Sequence, residues 1–287
     1  MCLRTRHRMV VRDKVLELGS RTLIMGVLNV TPDSFSDGAQ FLEPAKAITR
    51  AWEIAEEGAD ILDIGGESTR PGSSGVTAEE ELRRVFPVLE ALAGSYPLPM
   101  SLDTSKAEVA RAGLREGVAL VNDVTALRNS PEIAEEVAAS GAGLILMHMR
   151  GEPGNMQRLP ASPDILAEIE SWAERAVATA QASGVSFEKI ILDPGIGFGK
   201  TARQNLEILR NLERLAQTGL PLLVGTSRKS FIGEIVNRPA GQRVWGTAGT
   251  VAASIFYGAH IVRVHDVAAM RDVARVIDAL VPEGTKL

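Results

Sequence analysis

Eight times along this chain a short apolar run stops at a polar residue or a glycine, and a loop and then a helical pattern follow. The runs are Met25-Gly26-Val27-Leu28-Asn29, Leu62-Asp63-Ile64-Gly65-Gly66-Glu67, Ser101-Leu102-Asp103, Val121-Asn122-Asp123, Leu146-Met147-His148, Leu192-Asp193, Leu223-Val224-Gly225 and Val262-Arg263-Val264-His265. An apolar, β-branched run too short for a helix reads as a strand buried on both faces, whereas apolar residues at helical spacing between the runs read as amphipathic helices. After residue 22 no series of hairpins interrupts this order. The strands are therefore expected to be parallel and joined by helical crossovers.

Eight such units close into a (β/α)8 TIM barrel, with an open doubly wound sheet as the runner-up. A chain of 287 residues holds one barrel of about 250 residues and a short extension. We expect residues 1–21 to be that extension, with a hairpin from Met9 to Leu18, and residues 22–282 to be the barrel. One helix is expected from Ala202 to Leu215, and two helical segments are expected to flank Gly246-Thr247-Ala248-Gly249. In a barrel all strand ends face one mouth, which brings Asn29, Arg70, Asp103, Asn122, Asp193, Lys229, Arg263 and His265 together. Acids and amides with cations at one rim suit a polar heterocycle with a phosphate group.

The longest of the loops with alternating glycines follows Ile190-Ile191-Leu192-Asp193, as Pro194-Gly195-Ile196-Gly197-Phe198-Gly199-Lys200-Thr201. A Walker A loop requires Gly where Pro194 stands, and Gly-x-Gly-x-Gly misses the dinucleotide fingerprint, so neither nucleotide motif applies. The loop after Asn29, through Val30-Thr31-Pro32-Asp33-Ser34-Phe35-Ser36-Asp37-Gly38, carries one aromatic among polar residues and could close over a ligand. The Gly- and Ser-rich loop from Gly65 to Gly75 presents Arg70, whose planar fork suits phosphate or carboxylate. In Gly225-Thr226-Ser227-Arg228-Lys229-Ser230, Thr226 or Ser227 is expected to cap a helix, with Lys229 in its first turn. His7, His148, His260 and His265 show no paired ligand spacing, which argues against zinc and leaves His148 as a hydrogen-bonded structural residue.

Composition excludes several other classes. With 45% hydrophobic and 23% charged residues and a net charge of -5, the chain lacks the basic excess of a nucleic-acid binder. The cluster Arg4, Arg6, His7 and Arg8 reads as a solvated tail. A single cysteine, Cys2, excludes an intramolecular disulfide. The start has no continuous apolar core and no later run approaches the ~20 apolar residues of a membrane span, so a cytoplasmic enzyme with no membrane partner is expected.

The stretches Met25 to Gly38, Asp63 to Gly72, Ser101 to Ser105, Asn122-Asp123-Val124, Asp193 to Lys200, Gly225 to Ser230 and Arg263 to Val267 resemble the dihydropteroate synthase family of pterin-binding barrels. That resemblance runs from about Thr22 to Leu280. It implies the joining of p-aminobenzoate to 6-hydroxymethyl-7,8-dihydropterin diphosphate with release of diphosphate and assistance by Mg²⁺, in a family that is the sulfonamide target. It further implies a pterin pocket of Asp103, Asn122, Asp193 and Lys229, and a diphosphate site of Asn29, Arg70, Arg263 and His265, with Asn29 as the metal ligand. Thr31, Ser34, Phe35, Thr69, Pro71, Phe198, Gly225 and Ser230 are implied around the substrates, with Ser230 near the p-aminobenzoate carboxylate. A homodimer through the late helices is also expected. Ala39 stands where the family often has a second Gly, and the loop from Met149 to Asn155 departs from the usual wording. A corrinoid-linked methyltetrahydrofolate methyltransferase shares such a barrel but would not need the Arg263 and His265 end. A silent pterin-binding protein would be expected to lack Asn29, Arg70 or Asp103.

Overall fold

A computed structural model describes residues 4–31, 42–69, 72–73 and 75–280. Strands β1 (His7–Val11) and β2 (Lys14–Leu18) form an antiparallel hairpin. Val11 pairs with Lys14, leaving a two-residue turn in which Arg12 takes a positive φ of 56°. Then come β3 (Leu23–Asn29), α1 (Leu42–Glu56), β4 (Ile61–Gly65), α2 (Ala78–Leu92), β5 (Met100–Asp103), α3 (Ala107–Arg115), β6 (Leu120–Asp123) and α4 (Glu132–Ser140). The second half runs β7 (Gly143–Met147), α5 (Ile165–Ala182), β8 (Ile190–Asp193), α6 (Ala202–Arg210), α7 (Leu212–Ala216), β9 (Leu223–Val224), α8 (Ser230–Val236), α9 (Val244–Phe256), β10 (Ile261–Val264) and α10 (Val267–Leu280).

The eight strands β3 to β10 are all parallel, in the order β8-β7-β6-β5-β4-β3-β10-β9. A parallel bridge between Leu192 and Leu222, with Leu192 N–H donating to Pro221 O at 3.0 Å, joins β8 to β9 and closes the barrel. The expected (β/α)8 barrel is therefore the fold. Side chains alternate along each strand. Outward residues such as Ile24, Leu62, Leu102, Val121, Leu144, Leu192, Val224 and Val262 pack under the helices. Inward residues Leu23, Met25, Ile61, Leu120, Ile145, Ile191, Leu223 and Ile261 fill one end of the interior together with Met9, Val11, Leu16 and Leu18 of the hairpin. The hairpin thus plugs the end where the strands begin. At the other end the inward positions become polar.

Local chemistry sets the helix starts. Thr77 accepts from Glu80 N–H, Asp164 accepts from Ala167 N–H, and Thr201 with Gln204 forms a capping box. Three expectations need correction. The helix from Ala202 to Leu215 is broken at Asn211, whose side-chain amide donates to Glu207 O at 2.8 Å and so competes for the helix's own acceptors. Gly246 to Gly249 lies inside α9 rather than between two helices, because a Cβ at Gly246 would stand 2.3 Å from Ile232 Cγ2 and the glycine allows α9 to pack on α8. Arg4 is not part of a solvated tail. It is 9% exposed and donates to Thr22 Oγ1 at 2.7 Å and to Asp278 at 2.5 Å, tying the chain start to α10.

Candidate active site

Four strands deliver the polar groups at the mouth. Asp63 on β4, Asp103 on β5, Asn122 on β6 and Asp193 on β8 are buried, with inward parity. Arg263 on β10 bridges two of them: Nε donates to Asp63 Oδ2 at 2.6 Å and Nη2 to Asp103 Oδ2 at 2.8 Å. Asn122 Nδ2 also lies 3.4 Å from Asp63 Oδ2. The arrangement brings two carboxylates onto one guanidinium, a donor fork suited to that task.

Asp193 Oδ1 accepts from Gly195 N–H at 2.7 Å. Burial pushes the Asp193 carboxyl up to about 6, against the opposing pull of the Gly195 N–H and the Lys229 ammonium. Asp103 is pushed up to about 7 by burial, with Arg263 opposing and Asp63 reinforcing the shift. Lys229 is drawn down to about 8 by burial and by the nearby Arg263 charge. Its Nζ stands 3.9 Å from the centroid of the Phe198 ring, a cation–π contact. Phe198 belongs to an apolar cluster with Val124, Met147, Met149 and Met156. Met147 is the register partner of Asp193 on the neighbouring strand. A planar ring entering the mouth would therefore meet an apolar wall beside hydrogen-bonding edges, the usual composition of a small-molecule pocket.

The β8 loop is held rigidly. Gly195 has φ 64°, and an added Cβ would fall 1.9 Å from His148 O, so this position requires glycine. The buried Lys200 ammonium donates to His148 O, Gly195 O and Phe198 O at 3.1, 2.8 and 3.1 Å, using all three of its donors. Lys200 pins the backbone on which Asp193 and Phe198 are mounted.

Lys229 is the N-cap of α8 rather than a residue of its first turn, and neither Thr226 nor Ser227 caps that helix. The reason lies in the turn: Lys229 N–H donates to Thr226 O at 3.2 Å, Arg228 takes a positive φ of 59°, and Arg243 donates to the carbonyls of Arg228 and Lys229. Ser227 instead is buried against His265, with Oγ accepting from His265 N–H at 3.2 Å and lying 3.0 Å from Nδ1. Burial first, and then Arg263, hold the imidazole down to about 3, so His265 is neutral at pH 7.

His148 also departs from expectation. Its ring packs edge-on against Trp172, Nε2 stays 3.6 Å from Glu168, and Nδ1 has no partner among the described residues, so it is a buried histidine without a short side-chain hydrogen bond among them. Burial and Lys200 draw it down to about 2. Asn29 and Thr31 are half-buried at the end of β3, beside the exit of β4, and Thr69 is half-buried in the β4 loop. Gly225 lies with its Cα face toward Arg263 Cβ, and Ser230 is exposed at the first position of α8. Ser34, Phe35, Arg70 and Pro71 lie outside the described residues. Sequence reasoning left out Asp63, although an acid at an inward position in Ile61-Leu62-Asp63-Ile64 signalled it. Ser227 carried no signal, since its partner His265 comes from another segment, and the Lys200 side chain gave no sign that it would turn back onto the carbonyls of its own loop and of His148.

A parallel barrel with an inward ring of acids, an amide and two cations at its C-terminal mouth is a barrel enzyme for a small polar ligand. Residues 25–265 match the pterin binding enzyme family. A dihydropteroate synthase from Synechocystis is 48% identical over 94% of this chain and 94% of its own. The solved dihydropteroate synthase of Xanthomonas albilineans with 4-aminobenzoic acid is 42% identical, covers 97% of this chain and 100% of its own, and superposes with a TM-score of 0.89. That of Yersinia pestis in a sulfonamide drug complex is 41% identical, covers 95% and 98%, and also has a TM-score of 0.89. The chain belongs to the pterin-binding enzyme family, among the dihydropteroate synthases.

Proposed function

We propose that this chain condenses 6-hydroxymethyl-7,8-dihydropterin diphosphate with p-aminobenzoate, giving 7,8-dihydropteroate and diphosphate. The observation that carries the reading is the buried set Asp103, Asn122 and Asp193 facing Arg263 and Lys229 in one mouth. A 2-aminopyrimidinone edge offers adjacent N–H donors and a carbonyl. Asp193 and Asn122 accept from the donors, and Lys229 donates to the carbonyl.

In the reaction the methylene C–O bond breaks and its electron pair leaves with the diphosphate. The carbon and ring share the resulting positive charge, which the Asp103 carboxylate stabilises more in the transition state than in the ground state. The aniline nitrogen then forms the C–N bond and loses its proton. Arg263 and the neutral His265 hold the departing anion, while Phe198, Gly225 and Ser230 line the approach of p-aminobenzoate. Ser230 N–H, at the start of α8, faces the role of carboxylate donor.

Mg²⁺ fits the donor chemistry, since this ion keeps most of its waters and needs one or two protein oxygens plus phosphate. Asn29, half-buried on β3 next to the Arg263 strand, would hold it, and the ion would neutralise charge on the leaving diphosphate. No helix among the described residues is long and apolar enough to cross a membrane; a cytoplasmic setting is part of the proposal. A homodimer is proposed through α8 to α10, where Ile235 is 59% and Trp245 84% exposed. The deciding experiment is diphosphate release on adding p-aminobenzoate to the protein with pterin diphosphate and Mg²⁺. Absence of p-aminobenzoate-dependent release would overturn the reading.

A further inference from the structure

One ionic cluster at the rim has no part in the reaction as derived. Lys106 occupies the N-cap of α3 without making a side-chain cap. That position favours Ser, Thr, Asp or Asn, and the helix dipole disfavours a cation there. The side chain turns away instead, and its ammonium binds both Glu67 in the β4 loop and Glu81 in α2, the latter at 2.5 Å. Glu81 is fully buried. Burial works to lower the Lys106 pKa, but the two carboxylates outweigh it and raise the group above the ordinary lysine value.

Glu67 does a second thing. Its Oε1 accepts from Val76 N–H at 3.2 Å, where the loop returns toward α2, so one carboxylate closes the base of the loop. Arg84 of α2 donates to Gly66 O at 2.8 Å beside it. Lys106 lies three residues beyond Asp103, and Gly65, two residues before Glu67, lies against Asp103, where an added Cβ would stand 3.4 Å from the aspartate Cβ. The Glu67–Lys106–Glu81 cluster therefore ties the exits of β4 and β5 to each other and to α2.

We infer that Lys106 is a positioning residue, which through Glu67 fixes the base of the β4 loop relative to Asp103, and with it Thr69, one of the residues expected around the substrates, which we set on the p-aminobenzoate side of the site. The inference rests on the dihydropteroate synthase reading and deepens it. A loop root misplaced by about 1 Å weakens substrate positioning while leaving ring recognition at Asp193 and Asn122 intact.

The test uses the full chain with Lys106→Met, Lys106→Arg and Glu67→Gln. Lys106→Met and Glu67→Gln should raise KM for p-aminobenzoate about tenfold, with kcat changed by less than about threefold. Calorimetric affinity for a dihydropterin lacking diphosphate should stay within about twofold of the parent, and Lys106→Arg should recover most of the KM. Hydrogen exchange at Val76 should rise in Lys106→Met while exchange in β8 does not. An unchanged KM accompanied by a lower Tm would make the cluster a brace for the fold and overturn the inference. So would pterin affinity falling in step with KM. If Lys106→Met does not fold, Glu67→Gln decides, since its amide oxygen still accepts from Val76. A parent protein that releases no diphosphate would defeat the reaction assignment alone, and exchange at Val76 would still show whether Lys106 holds the loop.

Discussion

Arg263 and Asp63, 200 residues apart in sequence, meet at 2.6 Å inside the barrel, their strands β10 and β4 lying on either side of β3. Asp63 is wholly buried, and the same guanidinium reaches Asp103. Arg263 is therefore aimed by one acid at the other. Asp63→Asn should leave the partly buried Arg263 guanidinium short of one of its two counter-charges, costing about 3 kcal/mol of stability, the lower end of the scale for breaking a buried pair. Turnover should fall as well, because Arg263 loses the anchor that orients it. Urea unfolding with diphosphate-release kinetics checks both. Parent-like stability and turnover would remove Asp63 from the site.

Asp193→Asn replaces an acceptor by a group that also donates, opposite ring N–H groups. Affinity for a pterin without diphosphate should weaken by about 2 kcal/mol or more, the cost of burying an unmatched polar group. Isothermal calorimetry reads this directly, and equal affinity in parent and variant would exclude Asp193 from ring recognition.

Lys200→Met should destabilise the protein by about 2–4 kcal/mol, because three buried carbonyls lose their donor together. The β8 loop carries Asp193 and Phe198, so pterin affinity should fall with it. A variant as stable as the parent in urea would show that the carbonyls find other partners.

Acid sensitivity follows from the buried histidines. His148 has a folded-state pKa near 2, below its ordinary value of 6.5. Its contribution is present above about pH 6.5 and is lost as pH falls, because the unfolded chain takes up the proton first. Asp103 and Asp193, whose pKa values are raised, act in the opposite sense: they favour the fold at low pH and lose that contribution as pH rises through about 6 to 7. In His148→Phe the stability lost per pH unit between pH 6 and 5 should shrink by about 1.4 kcal/mol, one proton's worth. Urea unfolding at the two pH values measures the slope. An unaltered slope would mean that His148 does not bind its proton differentially.

The leaving-group reading predicts a rate set by anion stabilisation. Arg263→Ala or His265→Ala should lower turnover by roughly 10²-fold, as loss of one preorganised electrostatic contact does. Substituted anilines of differing basicity should react at similar chemical rates in rapid-quench experiments. A steep dependence on amine pKa would require attack while the C–O bond is intact.

The barrel and much of its rim were legible because they are written in local periodicity. Apolar runs ending at Asn29, Asp103, Asn122, Asp193 and His265 announce parallel strands, and closure into a barrel then brings those ends to one mouth whatever the loops do. The alternating glycines after Asp193 announced a special backbone, and the structure supplies its cause: at Gly195 the carbonyl of His148 occupies the place of a side chain. What no local pattern could contain is the choice of partner. That Arg263 is anchored by Asp63 and Asp103, and that Arg4 is paired with Asp278 rather than solvated, is decided by side chains from distant segments, and Lys200 reaches the carbonyl of His148 only because β7 and β8 lie side by side. The same holds for charge state. His265 is neutral because the folded chain buries it beside Arg263, and burial and neighbouring charge arise only when the strands have come together.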